Sequence, residues 1–305
     1  MSKKTQTFLW TFFGFLVISF IINMSVASFS TGSGSGNTVF NRLGKQVGVV
    51  KIEGVIFNGE SIIKEINTFR EDPRTVALLI RVNSPGGAVA PSQEIFHAIK
   101  KAAAEKPTIV SMGSVAASGG YYVSSPATKI FANPSTLTGS IGVIMQLDRY
   151  SDLLDKIGVE IEVLTAGRLK GAGSPVRELT SEERQYFQDI LDDMHKQFIG
   201  DIVQSRRLSE NLDEDSVKSL IKILAEGKIF TGNQALELGL VDTLGSYQDA
   251  QNYIRELLDL PQSTSFTENI RPANILREML SSISPIGNRF PLKRGGFYFI
   301  SEPLL

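Results

Sequence analysis

Residues 76–87 read VALLIRVNSPGG, a run of apolar and β-branched residues that ends in a proline and two glycines. Val76–Val82 lacks a strict alternation of apolar and polar residues, which predicts a strand buried on both faces, as in a parallel sheet. Pro85 cannot continue a central strand, and Gly86 and Gly87 allow backbone angles that present successive N–H groups to an anion. The stretch therefore predicts a buried strand followed by either a plain tight turn or an oxyanion-binding turn.

The segments on both sides of this strand alternate between short β-branched runs and amphipathic stretches. Pro91–Ala104 has a proline in its first turn and apolar residues at helical spacing, and Thr180 with Glu183 forms a capping-box signature. We predict an α/β fold with a largely parallel sheet covered by helices on both faces. The further predicted strands are Val47–Ile52, Pro107–Met112, Thr128–Ala132 and Glu160–Leu164, and the further predicted helices are Ser61–Thr68 and Gly119–Ser124.

A second glycine-bearing turn, Gly113–Tyr122, reads GSVAASGGYY and follows the predicted strand Pro107–Met112. Small residues surround Ser118, so that a substrate backbone could approach its hydroxyl closely. A serine at a helix N-terminus also lies beside free N–H groups and the positive end of the helix dipole. The simpler interpretation of an isolated serine at this place is a helix cap.

A serine nucleophile needs a base. His97 and His195 both lie in predicted helices, where a solvated side chain is the simpler interpretation, although position alone excludes neither. A lysine can act as the base if desolvation lowers its pKa from about 10.4 toward neutrality. Lys170 fits this best, in the Gly/Ala-rich loop TAGRLKGAGSP, although a surface lysine is the simpler interpretation. A third turn, LTGSIGV, contains Ser140, whose hydroxyl could hold a neutral lysine.

The composition excludes several kinds of chemistry. Among 305 residues there are no cysteines, two histidines, and 31 basic against 32 acidic residues. Disulfides, thiolate metal sites and a three-histidine zinc site are therefore excluded, and the net charge of −1 carries no electrostatic signature of nucleic-acid binding. We predict no metal and no cofactor.

The N-terminal region carries no charge between Thr5 and Asn41. Phe8–Val26 is long enough as a helix to cross the hydrocarbon core of a bilayer, and two lysines before it favour a cytoplasmic N-terminus. The alternative is a cleaved secretory signal ending at Ser25-Val26-Ala27, and both interpretations export the rest of the chain. We predict a membrane anchor over 1–28, a Gly/Ser linker over 29–45, a catalytic domain over 46–260, and a C-terminal tail over 261–305 that is either frayed or docked on a neighbouring subunit or in its own site.

The motifs together resemble the signal peptide peptidase A (protease IV-like) family of membrane-anchored Ser-Lys proteases, in its short, single-unit form. The resemblance covers Val47 to Leu244, where NSPGG, GSVAASGGYY, TGSIGV, the lysine loop ending in SP, and IFTGNQALELGLVD follow one another in that order. Each motif is weak alone, but the ordered set is specific. The resemblance implies a Clp-protease/crotonase-like fold of repeated ββα units with outer helices.

The resemblance also implies roles for individual residues. It implies Ser118 as the nucleophile, Lys170 as the general base and Ser140 as the serine that orients this lysine. The oxyanion hole would be formed at Gly86, Gly87 and Gly119. It further implies a homo-oligomeric ring with active sites completed across subunits, peptide substrates such as remnant signal peptides, and no cofactor. The location implied is the inner (cytoplasmic) membrane, with a single pass and an extracytoplasmic catalytic domain.

Three alternatives remain open from the sequence. A related membrane serine protease that cleaves membrane-scaffold proteins would carry the same motifs. A crotonase-like acyl-CoA enzyme would share the fold, but the exported location argues against a CoA substrate and leaves Ser118 and Lys170 without roles. An inactive membrane scaffold would require loss of the catalytic pair, and both positions are filled.

Overall fold

Regular structure alternates along the chain between strands and helices. The computed structural model describes residues 44–206, 208, 213–268 and 296–300. The strands are β1 (Gln46–Glu53), β2 (Thr75–Ser84), β3 (Gly86–Ala88), β4 (Thr108–Ala117), β5 (Lys129–Ala132), β6 (Leu137–Gly139), β7 (Ile144–Gln146), β8 (Ile229–Thr231), β9 (Thr243–Leu244), β10 (Ser265–Glu268) and β11 (Gly296–Ile300). The helices are α1 (Glu60–Glu71), α2 (Val89–Glu105), α3 (Gly119–Ser124), α4 (Ser151–Lys156), α5 (Ser181–Ser205), α6 (Glu214–Leu224), α7 (Gly232–Glu237) and α8 (Tyr247–Leu257).

The main sheet has the strand order β10-β1-β2-β4-β5-β9, and all of these neighbours pair in parallel. β6 also pairs with β4 in parallel, and β8 then pairs with β6 antiparallel. The apolar run in β2 fits its central place, because consecutive residues such as Leu78, Leu79 and Ile80 are all fully buried. The predicted α/β class with a mainly parallel sheet is confirmed.

Both faces of this sheet are covered, because side chains alternate between two apolar clusters along each central strand. Val50 and Leu78 belong to the larger cluster, which also contains residues of α1, α2, α3 and α5. Val49 and Leu79 belong to the smaller one, which includes Ala250 and Ile254 of α8. The sheet is therefore enclosed between helices, and the carboxyl ends of its strands remain as the place where a site can form.

A second, smaller sheet has the order β3-β11-β7 and is antiparallel throughout. In its register Phe299 lies opposite Gly87, and Phe297 lies opposite Met145. A single parallel bridge between Ile56 and Gly87 supports β3 from its other side. β3 thus lies between the segment after β1 and an extended segment from the far end of the chain.

Two local predictions have opposite outcomes. The capping box at the start of α5 is confirmed, since Thr180 and Glu183 each accept a hydrogen bond from the backbone N–H of the other. The strand predicted at Glu160–Leu164 is wrong for the single chain, where the segment is irregular and exposed. Its alternation of apolar and acidic residues suits a strand, but a strand requires a pairing partner.

The predicted anchor over 1–28, and the linker except Gly44 and Lys45, lie outside the described residues. In the part of the chain that the structure does describe, none of the helices combines the length and apolar character needed to cross a bilayer. The folded unit begins at Gln46, the first residue of β1.

Candidate active site

The three sequence turns meet at one edge of the main sheet, because the strands that precede them are parallel neighbours. Ser84 at the end of β2 lies opposite Ala116 in β4, and Ala117 lies opposite Gly139 at the end of β6. Ser118 directly follows β4. The carboxyl ends of β2, β4 and β6 thus bring the NSPGG, AASGG and TGS segments together.

Ser118 has an unusual backbone and an unusual hydroxyl. Its φ of 53° and ψ of −117° lie in a backbone region that residues other than glycine rarely adopt. Such a conformation costs on the order of 1–3 kcal/mol. The residue is 1% exposed, and its N–H donates to the carbonyl oxygen of Gly139 at 2.7 Å. Its Oγ is buried and has no hydrogen-bond partner among the described residues. A strained serine with an unpartnered hydroxyl at a strand-to-helix turn is the arrangement expected of a nucleophile.

The residues after Ser118 are small because the turn packs directly on β2. A Cβ on Gly120 would lie 2.5 Å from the carbonyl oxygen of Ser84. Gly119 is the first residue of α3, and the first N–H groups of a helix have no intrahelical partner. The Gly119 amide therefore remains a candidate donor to an oxyanion beside Ser118.

The Gly86 and Gly87 amides differ in what they contact. The Gly86 N–H donates to Ser84 Oγ at 3.1 Å, so it stabilises its own turn. Gly87 is held against Ile56, whose carbonyl oxygen accepts from the Ala88 N–H at 2.7 Å. Because successive N–H groups of a strand point to opposite sides, the Gly87 N–H points away from Ile56, to the side where Phe299 of β11 lies opposite it. Gly87 remains a candidate for the oxyanion hole, whereas the Gly86 N–H is used within its own turn.

Replacing Gly87 with alanine is expected to destabilise the fold by roughly 1–3 kcal/mol, as overpacking typically does. The added Cβ would lie 2.0 Å from the Ile56 carbonyl oxygen, so β3 must move. Denaturant unfolding followed by circular dichroism measures the change. Gly200→Ala in α5 is the matched control, because its Cβ would contact nothing within 4 Å and alanine favours a helix. Equal unfolding midpoints for Gly87→Ala and the wild type would contradict the close approach.

Ser140 lies in a turn that is also strained. Its φ is 51°, and that of the preceding Gly139 is 75°. The Ser140 N–H donates to the carbonyl oxygen of Lys228 at 2.6 Å. The residue is half-buried and lines a cavity of about 390 Å³. The Ser118 N–H donates to the carbonyl oxygen of Gly139, and Ser140 is the next residue. The backbones of the two predicted serines are therefore joined by this single hydrogen bond.

Lys170 lies outside this cluster in the single chain. It is exposed, in an irregular loop whose turn is closed by its N–H donating to the Gly167 carbonyl oxygen at 3.0 Å. Since Ser118 Oγ has no hydrogen-bond partner among the described residues, Lys170 of the same chain does not form a hydrogen bond with it. The structure thus brings Ser118, Ser140 and the glycines together, and leaves Lys170 apart.

The loop that carries Lys170 is fixed at its C-terminal side by Arg177. The guanidinium donates to both carboxylate oxygens of Glu183, at 2.8 and 2.5 Å, and to the Gly171 carbonyl oxygen at 3.0 Å. Glu183 is 3% exposed and also accepts from the Thr180 N–H. The Arg177 hydrogen bonds, followed by that from Thr180, lower the pKa of Glu183 to about 2.

Glu183→Gln is expected to lower the melting temperature by an amount that is constant above about pH 5 and shrinks as the pH falls toward 2. A depressed pKa stabilises the fold above the unfolded-state pKa of about 4.3, and this contribution is lost as the pH falls through the folded value. Differential scanning fluorimetry from pH 2 to 8 measures the difference, with the exposed Glu160→Gln as control. A difference that already disappears between about pH 5 and 8 would contradict the pairing.

An apolar surface precedes the lysine loop. Its large side chains are between 37% and 88% exposed, which is unusual for so many in one segment. We call this surface the 147–164 segment, and it consists of Leu147, Tyr150, Leu153, Ile157, Val159, Ile161, Val163 and Leu164. The segment and Lys170 are therefore exposed on neighbouring parts of the chain.

Four contacts at the site were not predicted from the sequence. Ser84 binds the Gly86 amide, the Lys228 carbonyl holds Ser140, and Arg177 holds the lysine loop. His195, predicted to be solvated, is half-buried, and its Nε2 lies 3.1 Å from the carbonyl oxygen of Ile141. The contacts of Lys228 and His195 join segments that the sequence pattern does not relate, whereas those of Ser84 and Arg177 are local. Within the described residues, no group of acidic or histidine side chains is arranged to hold a metal ion.

Comparison with known proteins is consistent with this site. A model of peptidase family S49 matches residues 100–261, more than half of the chain. A putative protease of Synechocystis is 38% identical over 218 residues, which cover 71% of this chain and 76% of that protein. A putative signal peptide peptidase SppA of Enterococcus faecium is 35% identical over 68% of this chain and 58% of its own. Protease 4 of Salmonella typhi is 36% identical over 72% of this chain but 36% of its own.

The fold, the serine turn and these relatives define the protein as a peptidase with a mixed α/β architecture. The chain belongs to peptidase family S49, which confirms the family resemblance of its motifs. The matched region contains Ser118, Ser140 and Lys170, whereas Gly86 and Gly87 precede it.

Proposed function

We propose that the protein is a serine endopeptidase in which Ser118 is the nucleophile, Lys170 the general base and Ser140 the residue that orients this lysine. The observation that carries the proposal is the buried Ser118 hydroxyl, which has no partner among the described residues. An unsatisfied buried hydroxyl is costly to folding, so its retention in a strained turn favours a catalytic use. The membership of a peptidase family supplies the reaction class.

The proposed reaction is acyl transfer. Neutral Lys170 takes the proton from Ser118 Oγ, and the oxygen attacks the scissile carbonyl carbon. The N–H groups of Gly87 and Gly119 stabilise the oxyanion, while Gly86 keeps the turn closed. The protonated lysine then gives its proton to the leaving amine. Water, deprotonated by the same lysine, attacks the acyl-enzyme and restores Ser118.

We further propose that Lys170 reaches Ser118 of a neighbouring subunit in a homo-oligomeric ring. Two observations support this arrangement. Lys170 is exposed and forms no hydrogen bond with Ser118 Oγ of its own chain. The 147–164 segment before it exposes a set of large apolar side chains that an interface between copies would cover.

The proposed substrates are extended peptides, and remnant signal peptides in particular. One relative is named as a putative signal peptide peptidase. The antiparallel pairing of β3 with β11 supports binding of an extended backbone beside Gly87. The apolar N-terminal stretch 1–28 supports a single-pass location in the inner (cytoplasmic) membrane, with the catalytic domain outside the cytoplasm.

Mass spectrometry of the detergent-solubilised full chain tests the nucleophile and the substrate class together. We expect a fluorophosphonate to add to Ser118, and we expect a synthetic signal peptide to be cleaved faster than segments of membrane-scaffold proteins. Faster cleavage of the scaffold segments would favour the alternative protease function. Labelling at any other residue would contradict the assignment of Ser118.

The architecture fits a Clp-protease-like fold, and the crotonase-like alternative shares that architecture. An acyl-CoA enzyme would bind CoA esters with measurable heat. We expect none in titration calorimetry with acetyl-CoA and longer acyl-CoA esters. Saturable binding would favour this alternative and would leave the strained Ser118 without a role.

A further inference from the structure

The turn that carries Ser140 needs support from its surroundings. Gly139 and Ser140 both have positive φ, at 75° and 51°. Glycine adopts this region freely, but serine does so only when neighbouring groups hold it there. The direction of the Ser140 hydroxyl therefore depends on the contacts that fix the backbone on each side of it.

Three backbone polar groups of this turn are fixed by three different segments. The Gly139 carbonyl oxygen accepts from the Ser118 N–H at 2.7 Å, and the Ser140 N–H donates to the Lys228 carbonyl oxygen at 2.6 Å. The third group is the Ile141 carbonyl, whose oxygen lies 3.1 Å from His195 Nε2. A carbonyl oxygen can only accept, so His195 Nε2 carries the hydrogen and donates it.

His195 is well placed to act as a rigid support. It lies in the middle of α5, whose Phe198 and Ile202 are fully buried in the core. The capping box fixes the start of the same helix. His195 and Ser140 line the same cavity of about 390 Å³, so the imidazole supports the turn from the side on which the serine is accessible.

We propose that His195 is a positioning residue, which holds the Ile141 carbonyl and thereby orients the Ser140 hydroxyl toward the catalytic lysine. This inference rests on the proposed function, because it requires Ser140 to act on Lys170. In this proposal His195 acts through the turn and takes no part in the reaction itself. Loss of its hydrogen bond should therefore reduce the catalytic step and leave substrate binding nearly unchanged.

The test compares His195→Ala, His195→Leu and His195→Gln in the detergent-solubilised full chain. We expect kcat to fall by roughly 10- to 100-fold in the first two, as for a catalytic group displaced by about 1 Å, with KM within about twofold of the wild type. The side-chain amide of glutamine can donate a hydrogen bond at a similar distance from the backbone. His195→Gln should therefore recover most of the activity. His97→Ala, which removes the exposed histidine of α2, is the matched control and should be fully active.

A double substitution separates positioning from general damage. If His195 acts through Ser140, the pair His195→Ala with Ser140→Ala should have the same kcat as Ser140→Ala alone. The proposal would be overturned if the two substitutions lowered kcat by the product of their separate effects. An unchanged kcat in His195→Leu, or no recovery of activity in His195→Gln, would also overturn it. If neither variant without the donor folds, as judged by circular dichroism, the role is structural and the proposal is wrong. Full activity of Ser140→Ala would instead refute the proposed function of Ser140, independently of His195.

Discussion

Replacing Ser118 with alanine is expected to reduce peptide hydrolysis by at least about 10⁴-fold, as removal of a serine nucleophile does elsewhere. The proposed mechanism has no other nucleophile that could replace the Ser118 hydroxyl. The backbone of the turn should be kept, because the N–H of residue 118 would still donate to the Gly139 carbonyl oxygen. Hydrolysis of a quenched fluorescent peptide measures the loss. Ser114→Ala is the matched control, because Ser114 is an exposed serine of β4, the strand that Ser118 directly follows.

The same position allows a stability test of the strained turn. Ser118→Ala keeps a Cβ at a φ of 53° but removes a buried hydroxyl that has no partner among the described residues. Its melting temperature should therefore be somewhat above that of the wild type. Ser118→Gly relieves the strain and should be more stable by about 1 kcal/mol while remaining inactive. Residual activity above a thousandth of the wild type in either variant, or lower stability of the glycine variant, would contradict the role given to this residue.

Lys170→Ala and Lys170→Arg are both expected to be inactive, because arginine keeps the charge but cannot release its proton. Co-expression of Lys170→Ala with Ser118→Ala should restore activity. In a ring that pairs Ser118 of one subunit with Lys170 of the next, random mixing gives intact sites at about a quarter of all positions. We therefore expect about a quarter of the wild-type rate, measured on doubly tagged oligomers purified through both tags.

Lys156→Ala is the matched control, since it removes an exposed lysine from α4 before the loop. That variant should be active when expressed alone. Light scattering would show whether the mixed oligomers form. If they form and are inactive, catalysis across subunits is contradicted. Full activity of Lys170→Arg would exclude Lys170 as the base.

The main features of the fold could be predicted because they depend on neighbours in sequence. Val76–Val82 is apolar on both faces apart from Arg81, and the structure places it in β2, between two parallel strands. The capping box needs only Thr180 and Glu183, which are three residues apart. The same kind of pattern predicts a strand at Glu160–Leu164, but a strand requires a partner, and none of the described residues pairs with this segment.

The candidate site divides in the same way. Ser118 and Ser140 could be predicted because each lies in a turn directly after a strand, and Gly87 because it follows β2 within three residues. The contact of His195 with Ile141 spans 54 positions, and no periodic pattern reports such a distance. The use of the Gly86 amide within its own turn depends on a side-chain rotamer of Ser84, which the sequence does not specify.

The second sheet has a consequence for the order in which the protein assembles. β3 and β7 lie in the first half of the chain, but the strand between them, β11, is made long after both. Before β11 is made, the bridge to Ile56 is the backbone pairing that the described residues give to β3. During the same period β7 lacks its pairing with β11. Unpaired strand edges can form hydrogen bonds with strands of other chains. The growing polypeptide must therefore avoid such intermolecular pairing at these two edges. Pairing with β11 covers both edges, so chains shortened before this strand should be the ones most prone to associate wrongly.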